Sequence, residues 1–209
     1  MSIGGRLIPL ILVGAGVWLV GSGGWIYTKA WLAQLLLEQA WQRTLAGASE
    51  ARPWPWADTW TVARLRIPSQ HTDTIVLQGD SGRSLAFAPG LAAGSSAPGR
   101  SGTTLISAHR DTHFRKLAGL TPGDMIELQT TAGNWNYRVT GSRIIDTRHQ
   151  SITNNALQDE LVLATCYPFD AVIPGGPLRY LVYAEVVPTK RVTSSAYAVD
   201  NARSGSPPN

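Results

Sequence analysis

The apolar positions of this chain follow two regimes that meet near residue 60. Residues 7–27, "LIPLILVGAGVWLVGSGGWIY", carry no charge and are bounded by Arg6 and Lys29. About 20 such residues at helical rise match the hydrocarbon core of a bilayer, so the segment reads as a membrane-spanning helix. Its glycines suit that reading, and Trp25 and Tyr27 fall where an interfacial aromatic belt lies. A cleaved signal peptide is the rival reading, because Gly21, Ser22, Gly23 and Gly24 offer small residues to a peptidase, although the apolar stretch is long for one. Residues 30–46, "AWLAQLLLEQAWQRTLA", predict a helix ending at Gly47 that lies on the membrane surface, packs on the following domain, or merely spaces it. "ARPWPWADTW" then supplies a stiff connector rich in proline and tryptophan.

From residue 60 the period changes to two. In "TVARLRIP", Val62, Arg64 and Arg66 share one face and Ala63, Leu65 and Ile67 the other. "TIVLQG" (74–79) and "GTTLISAH" (102–109) read as strands. "DMIELQTTAGNWNYRVTGSRIID" reads as a hairpin turning near Ala132-Gly133-Asn134, and "ELVLATC" and "LRYLVYAEVV" as the last two strands. No long helical pattern separates them, which argues against βαβ units and for an all-β fold, a small closed barrel or sandwich. The expected organisation is an anchor at 1–29, a helix and connector at 30–59, a β-domain at 60–187 and a disordered tail at 188–209.

Composition changes this picture in three ways. Apolar residues at 44% and charged residues at 15% suit a globular core rather than disorder. The formal charge of +4 is spread over scattered arginines, so no nucleic-acid partner is expected. Seven of the eight tryptophans (Trp18, Trp25, Trp31, Trp41, Trp54, Trp56, Trp60) lie in the first 60 residues, which strengthens a lipid-membrane partner for the N-terminal part.

The chain has one cysteine, Cys166, at the end of the strand "LVLATC". A free cysteine is most often a buried small hydrophobe. Outside the cytoplasm, however, an unpaired thiol is exposed to oxidation, and that invites a functional reading. A nucleophilic thiol needs a base or cation nearby. Among His71, His109, His113 and His149, only His109 ends a predicted strand as Cys166 does, so the two converge if those strand ends share a rim. Arg179 opens the strand after Cys166, and antiparallel pairing through the short loop "YPFDAVIPGGP" brings it back towards the thiol as a donor for an oxyanion. The histidines and carboxylates have no spacing typical of a zinc site, so neither metal nor cofactor is expected.

These stretches together resemble the sortases, cysteine transpeptidases of the cell envelope. "LVLATC" resembles the family's Thr-Leu-x-Thr-Cys strand, with Val162 in place of threonine. "SAPGRSGTTLISAHRDTHF" resembles the segment leading to the catalytic histidine, with Ala108 in place of glycine. "GPLRYLVYAE" resembles the arginine strand. "TCYPF" is similar to the housekeeping-like and class D branches, and the "PWPWAD" connector with a single anchor to the Gram-negative (class GN) sortases.

The resemblance implies an eight-stranded β-barrel behind the membrane helix and juxtamembrane helix. It further implies Cys166 as nucleophile, His109 as general acid/base and Arg179 as stabiliser. It implies a secreted substrate protein with an LPxTG-like C-terminal sorting signal, cleaved between Thr and Gly. The acceptor would be an amine on a peptidoglycan precursor or a protein. The enzyme would sit in the bacterial inner membrane, single-pass, with its catalytic domain in the periplasm. Ile152, Leu157, Val172 and Ile173, in the loops at 147–160 and 167–177, either line a groove for the signal or pack those loops onto the barrel. Two alternatives stand beside this reading: a thiol hydrolase using the same residues, and a non-catalytic β-domain that binds envelope proteins.

Overall fold

The computed structural model describes residues 4–152, 159–173 and 175–188. The two helical segments expected at 7–27 and 30–46 form one element, α1 (Gly4–Leu45), of 42 residues. At helical rise it is about 63 Å long. Among the described residues no helix is long and apolar enough to cross a membrane, and several side chains of 7–27 lie outside those residues. Gly47, at φ +97°, ends the helix. Its N–H bonds the Thr44 carbonyl, and the Ala48 N–H bonds that of Arg43, which satisfies carbonyls left open at the last turn.

The C-terminal third of α1 packs on the domain rather than spacing it. Ala33, Leu37, Ala40, Trp41 and Thr44 are buried, at the three- and four-residue steps of one helical face. Beneath them lie β1 (Thr61–Ile67) and β2 (Thr72–Gln78). Leu37 and Trp41 form an apolar cluster with Ile75, Leu77 and Ala88. Beside it, Arg64 bridges Glu38 of the helix (3.0 Å) and Asp73 of β2 (2.6 Å). Hydrogen bonding from Arg64 holds the Asp73 carboxyl below its ordinary pKa.

The remaining elements are α2 (Gly82–Leu85), β3 (Gly90–Leu91), β4 (Gly102–Ser107), β5 (Met125–Thr130), β6 (Gly133–Asp146), β7 (Asp159–Cys166) and β8 (Leu178–Val186). The strands close into a barrel in the order β1-β2-β3-β4-β7-β8-β6-β5. Two pairs, β2/β3 and β4/β7, are parallel, and the others are antiparallel. The β5–β6 hairpin and its flanking loops serve as the crossover that a parallel β4/β7 pair requires, so no helix is needed there. Residues of alternate position, including Leu65, Ile106, Leu128, Leu161, Leu163 and Val182, fill the interior.

Several expectations shift by a few residues. The strand read as 102–109 ends at Ser107, so His109 stands in the loop beyond it. The hairpin turns at Thr131-Ala132, one residue before the expected centre. The brief β3 and α2 were not anticipated. Gly90 in β3 passes so close to the chain that a Cβ there would stand 2.2 Å from the Gly79 carbonyl oxygen, which explains a glycine in that strand.

Because Trp41 is fully buried between α1 and β2, Trp41→Ala is expected to lower the unfolding free energy by about 3–5 kcal/mol. Urea denaturation of the full chain measures this, and a loss under about 1 kcal/mol would mean the helix contributes little to the domain.

Candidate active site

Strand alternation decides which side of the barrel each candidate faces. In β7, Leu161 and Leu163 belong to the interior, whereas Val162 and Ala164 join a separate cluster with Ile145 and Leu181 on the outer face. Cys166 continues the 162–164 series, so its side chain belongs to the outer face. The β7/β8 register sets Cys166 directly opposite Arg179, as the loop argument anticipated. Residues opposite one another share a face. Cys166 is partly exposed, unlike a packed core thiol.

β4 lies on the other side of β7. The parallel register runs from Gly102↔Asp159 to Ser107↔Ala164. Two backbone-anchored contacts extend it past the end of β4. The Ala108 N–H donates to the Ala164 carbonyl (3.1 Å), and the buried Thr165 hydroxyl donates to the Ala108 carbonyl (2.7 Å). Continued by two residues, the register brings His109 alongside Cys166. His109, Cys166 and Arg179 thus lie at one end of one sheet, on three neighbouring chain segments.

Arg179 is held by its own loop. Its Nη1 donates to the carbonyls of Gly176 (2.6 Å) and Leu178 (2.9 Å). Among the described residues Nε and Nη2 have no such partner, which leaves donors of the planar fork available. The "YPF" after the cysteine closes the barrel end. Phe169 packs edge-on to Tyr180 at 5.3 Å, Tyr167 stacks on Tyr180 at 6.4 Å, and Phe169 and Tyr180 also touch the interior cluster.

The likeness to known proteins agrees with this arrangement. A family model described as the sortase domain matches residues 65–187. The chain is also 30% identical over 202 residues to Sortase D of Bacillus subtilis (strain 168), an alignment covering 90% of this chain and 99% of that protein. The chain belongs to the sortase family.

Solved sortases share its fold. The Sortase D5 transpeptidase of Clostridium perfringens superimposes with a TM-score of 0.57 at 20% identity, over 72% of this chain and 89% of that one. Sortase C-1 of Actinomyces oris gives 0.55 at 27% identity, over 62% and 76%. Family membership carries a cysteine-transpeptidase activity in general terms, acting in protein sorting at the cell envelope.

In this sortase the outer face of β6, β7 and β8 floors a cavity of about 480 Å³. Ile145, Leu181 and Ile152 supply its apolar part, and Arg143, Glu160 and Tyr183 its polar part. Of the four residues expected in the loops, Ile152 packs against the outer cluster and lines this cavity. Leu157 lies outside the described residues. Val172 (95% exposed) and Ile173 (82%) stand in solvent, so neither packs its loop onto the barrel. The loop that carries Ile152 begins at an exposed fork, where Arg148 donates to the Asp146 carboxylate (2.6 Å) and holds its pKa at about 2.

Sequence reasoning missed the floor of this cavity, although β7 and β8 carry apolar residues on both faces, the pattern of strands covered on both sides. It also passed over Arg110, while His113, read as a loop residue, stands in the loop after β4. A larger apolar cavity of about 700 Å³ lies between α1, the Trp54–Trp56 connector and α2, and none of the three candidate residues lines either cavity.

His113 is half-buried, and burial pushes its pKa below the ordinary value. A hydrogen bond with the Phe87 carbonyl opposes this, and the nearby His109 reinforces it. Gln34 of α1 donates to the Phe87 carbonyl (3.1 Å).

With its folded pKa depressed, His113 contributes stability above the unfolded-state value of about 6.5. That contribution declines as pH falls from there through the folded value, because the unfolded chain takes up the proton first. His113→Asn is therefore expected to lose less thermal stability than the wild type between about pH 7.5 and about pH 5.5. Equal losses would count against a neutral buried His113.

Proposed function

We propose that this sortase is a single-pass, membrane-anchored transpeptidase that cleaves an LPxTG-like sorting signal between Thr and Gly and passes the cargo to an amine. The observation that carries the reading is the β4–β7–β8 register, with Cys166 opposite Arg179 and the His109 segment bonded to the same strand. In the first step the Cys166 sulfur forms a bond to the Thr carbonyl carbon. The C–N bond to Gly breaks, and His109 delivers a proton to the departing amine, leaving a thioester. In the second step an amine attacks the thioester carbonyl, His109 takes up its proton, and an amide forms as Cys166 is released. Arg179 offers its guanidinium fork to the oxygen that becomes negative in each step.

The apolar part of the 480 Å³ cavity, Ile145, Ile152 and Leu181, would take an apolar side chain of such a signal, and the exposed Val172 and Ile173 would meet the signal only once it is bound. Residues 1–29 would anchor the chain in the inner membrane and 30–59 join the anchor to the barrel. The catalytic unit at 60–187 would face the periplasm, ahead of the tail at 188–209. The "TCYPF" motif and the likeness to Sortase D of Bacillus subtilis support a class D-like branch, and the "PWPWAD" connector supports the Gram-negative group. The acceptor is an amine of a peptidoglycan precursor or of another protein.

Intact-mass spectrometry of the full chain in detergent, with LPxTG-like peptides and with or without an added amine, tests this reading. A mass gain equal to the peptide's N-terminal fragment, absent in Cys166→Ala and converted to amide by the amine, is expected. Release to acid despite abundant amine would favour a hydrolase. An inert thiol with no adduct would favour a binding domain.

His109→Ala is expected to abolish turnover while the domain stays folded. Arg179→Lys should lose about 10²-fold or more in kcat, because a point charge cannot replace the fork. Near-normal rates in that variant would remove Arg179 from the machinery.

A further inference from the structure

Arg110 follows His109 directly, yet its side chain is only 6% exposed. A buried guanidinium is costly unless its donors are met. Here Nη1 donates to the Pro168 carbonyl and Nη2 to the Ala171 carbonyl, while Nε reaches the Asp111 carboxylate at 3.3 Å. That carboxylate is itself 69% exposed, so the deeply set partners are two main-chain oxygens of the loop that leaves Cys166.

These bonds complete a bracket. On the near side of His109, Ala108 is bonded to Ala164 and Thr165, the two residues before Cys166. On the far side, Arg110 is bonded to Pro168, two residues after Cys166, and to Ala171. Each neighbour of the histidine is therefore tied across to a segment flanking the cysteine.

The same loop is held at its other end by Arg179, through Gly176 and Leu178. Two arginines from opposite sides thus grip one short loop, and the three candidate catalytic residues are fixed relative to one another through it. The arrangement needs a planar fork, because one side chain must reach two carbonyls at once.

We infer that Arg110 is a positioning residue that sets the placement of His109 against Cys166 through the Pro168 and Ala171 carbonyls. The inference rests on the proposed roles of Cys166 and His109. Arg110 itself touches no reacting atom.

The test uses the full chain in detergent, with Arg110→Gln, Arg110→Lys and, as a control, Arg64→Gln, which breaks the ion pairs among β1, β2 and α1. Arg110→Gln is expected to lose about 10²-fold in kcat, the scale of a misplacement near 1 Å, with a smaller change in KM. Arg110→Lys should recover part of that loss. Arg64→Gln, compared at matched loss of melting temperature, should keep the wild-type kcat.

A second readout needs no peptide. Alkylation of Cys166 by iodoacetamide near neutral pH should slow in Arg110→Gln towards the rate of His109→Ala, because the thiol loses its imidazole neighbour. If the wild type forms no thioester with any peptide, the proposed activity fails, and the alkylation rates still decide the role of Arg110. A folded Arg110→Gln with kcat and alkylation rate within threefold of wild type would overturn the assignment. So would an equal kcat loss in Arg64→Gln, or failure of both Arg110 variants to fold, since either outcome makes the residue a stability element alone.

Discussion

The candidate site depends on one constraint, the parallel ladder between β4 and β7. Parallel strands end on the same side of a sheet, so the residues just beyond Ser107 and at Cys166 emerge at a common rim. Antiparallel pairing of the same two strands would place His109 at the opposite end of the barrel. The neighbouring β7/β8 pair has the reverse requirement. Arg179 begins its strand, so only an antiparallel return through a short loop brings it to the end of β7. Three residues far apart in sequence meet because one strand has a parallel neighbour on one side and an antiparallel neighbour on the other. Closure of the barrel then resists sliding of either pair, because a one-residue slip would turn Leu161 and Leu163 out of the core.

The helix adds a second level of rigidity. α1 runs without interruption into the face that buries Leu37 and Trp41, so the barrel is joined to the N-terminal segment by a packed helix rather than a free linker. Thr44 and Thr61 bond across this contact at 2.6 Å, and Arg64 closes it with charge. The Gln34 contact to Phe87 carries the same packing towards the histidine loop. A fragment starting near residue 50 would discard this face and uncover Ile75 and Leu77.

Much of this was readable from the residues, and the failures have physical causes. The strands with clean alternation, such as 61–67 and 125–130, stood out because one side of each meets the core and the other faces out. β3, with two residues, and α2, with four, are too short for any period to register. The continuity of α1 was hidden because a glycine cluster and Lys29 look like a boundary. Gly21, Gly23 and Gly24 face open space, and such positions cost a helix only about 1 kcal/mol each.

The convergence of Cys166, His109 and Arg179 was readable from strand ends and residue types. Arg110 was not, because a charged residue in a charged loop signals solvent unless the backbone oxygens that receive it are known. Those oxygens belong to residues 168 and 171, and no local pattern connects them to position 110.

The outer face of β7 and β8 explains why the thiol is not simply packed away. Val162, Ala164, Leu181 and Ile145 are buried there without a second sheet or a helix over them among the described residues. Their cover comes partly from Leu105, Ile152 and Tyr183, which pack against them. The 480 Å³ cavity opens beside this apolar strip, against Ile145, Ile152 and Leu181. The strip runs along the face of β7 that ends at Cys166. Ala164, two residues before Cys166 on the same face, is the smallest side chain of this buried strip.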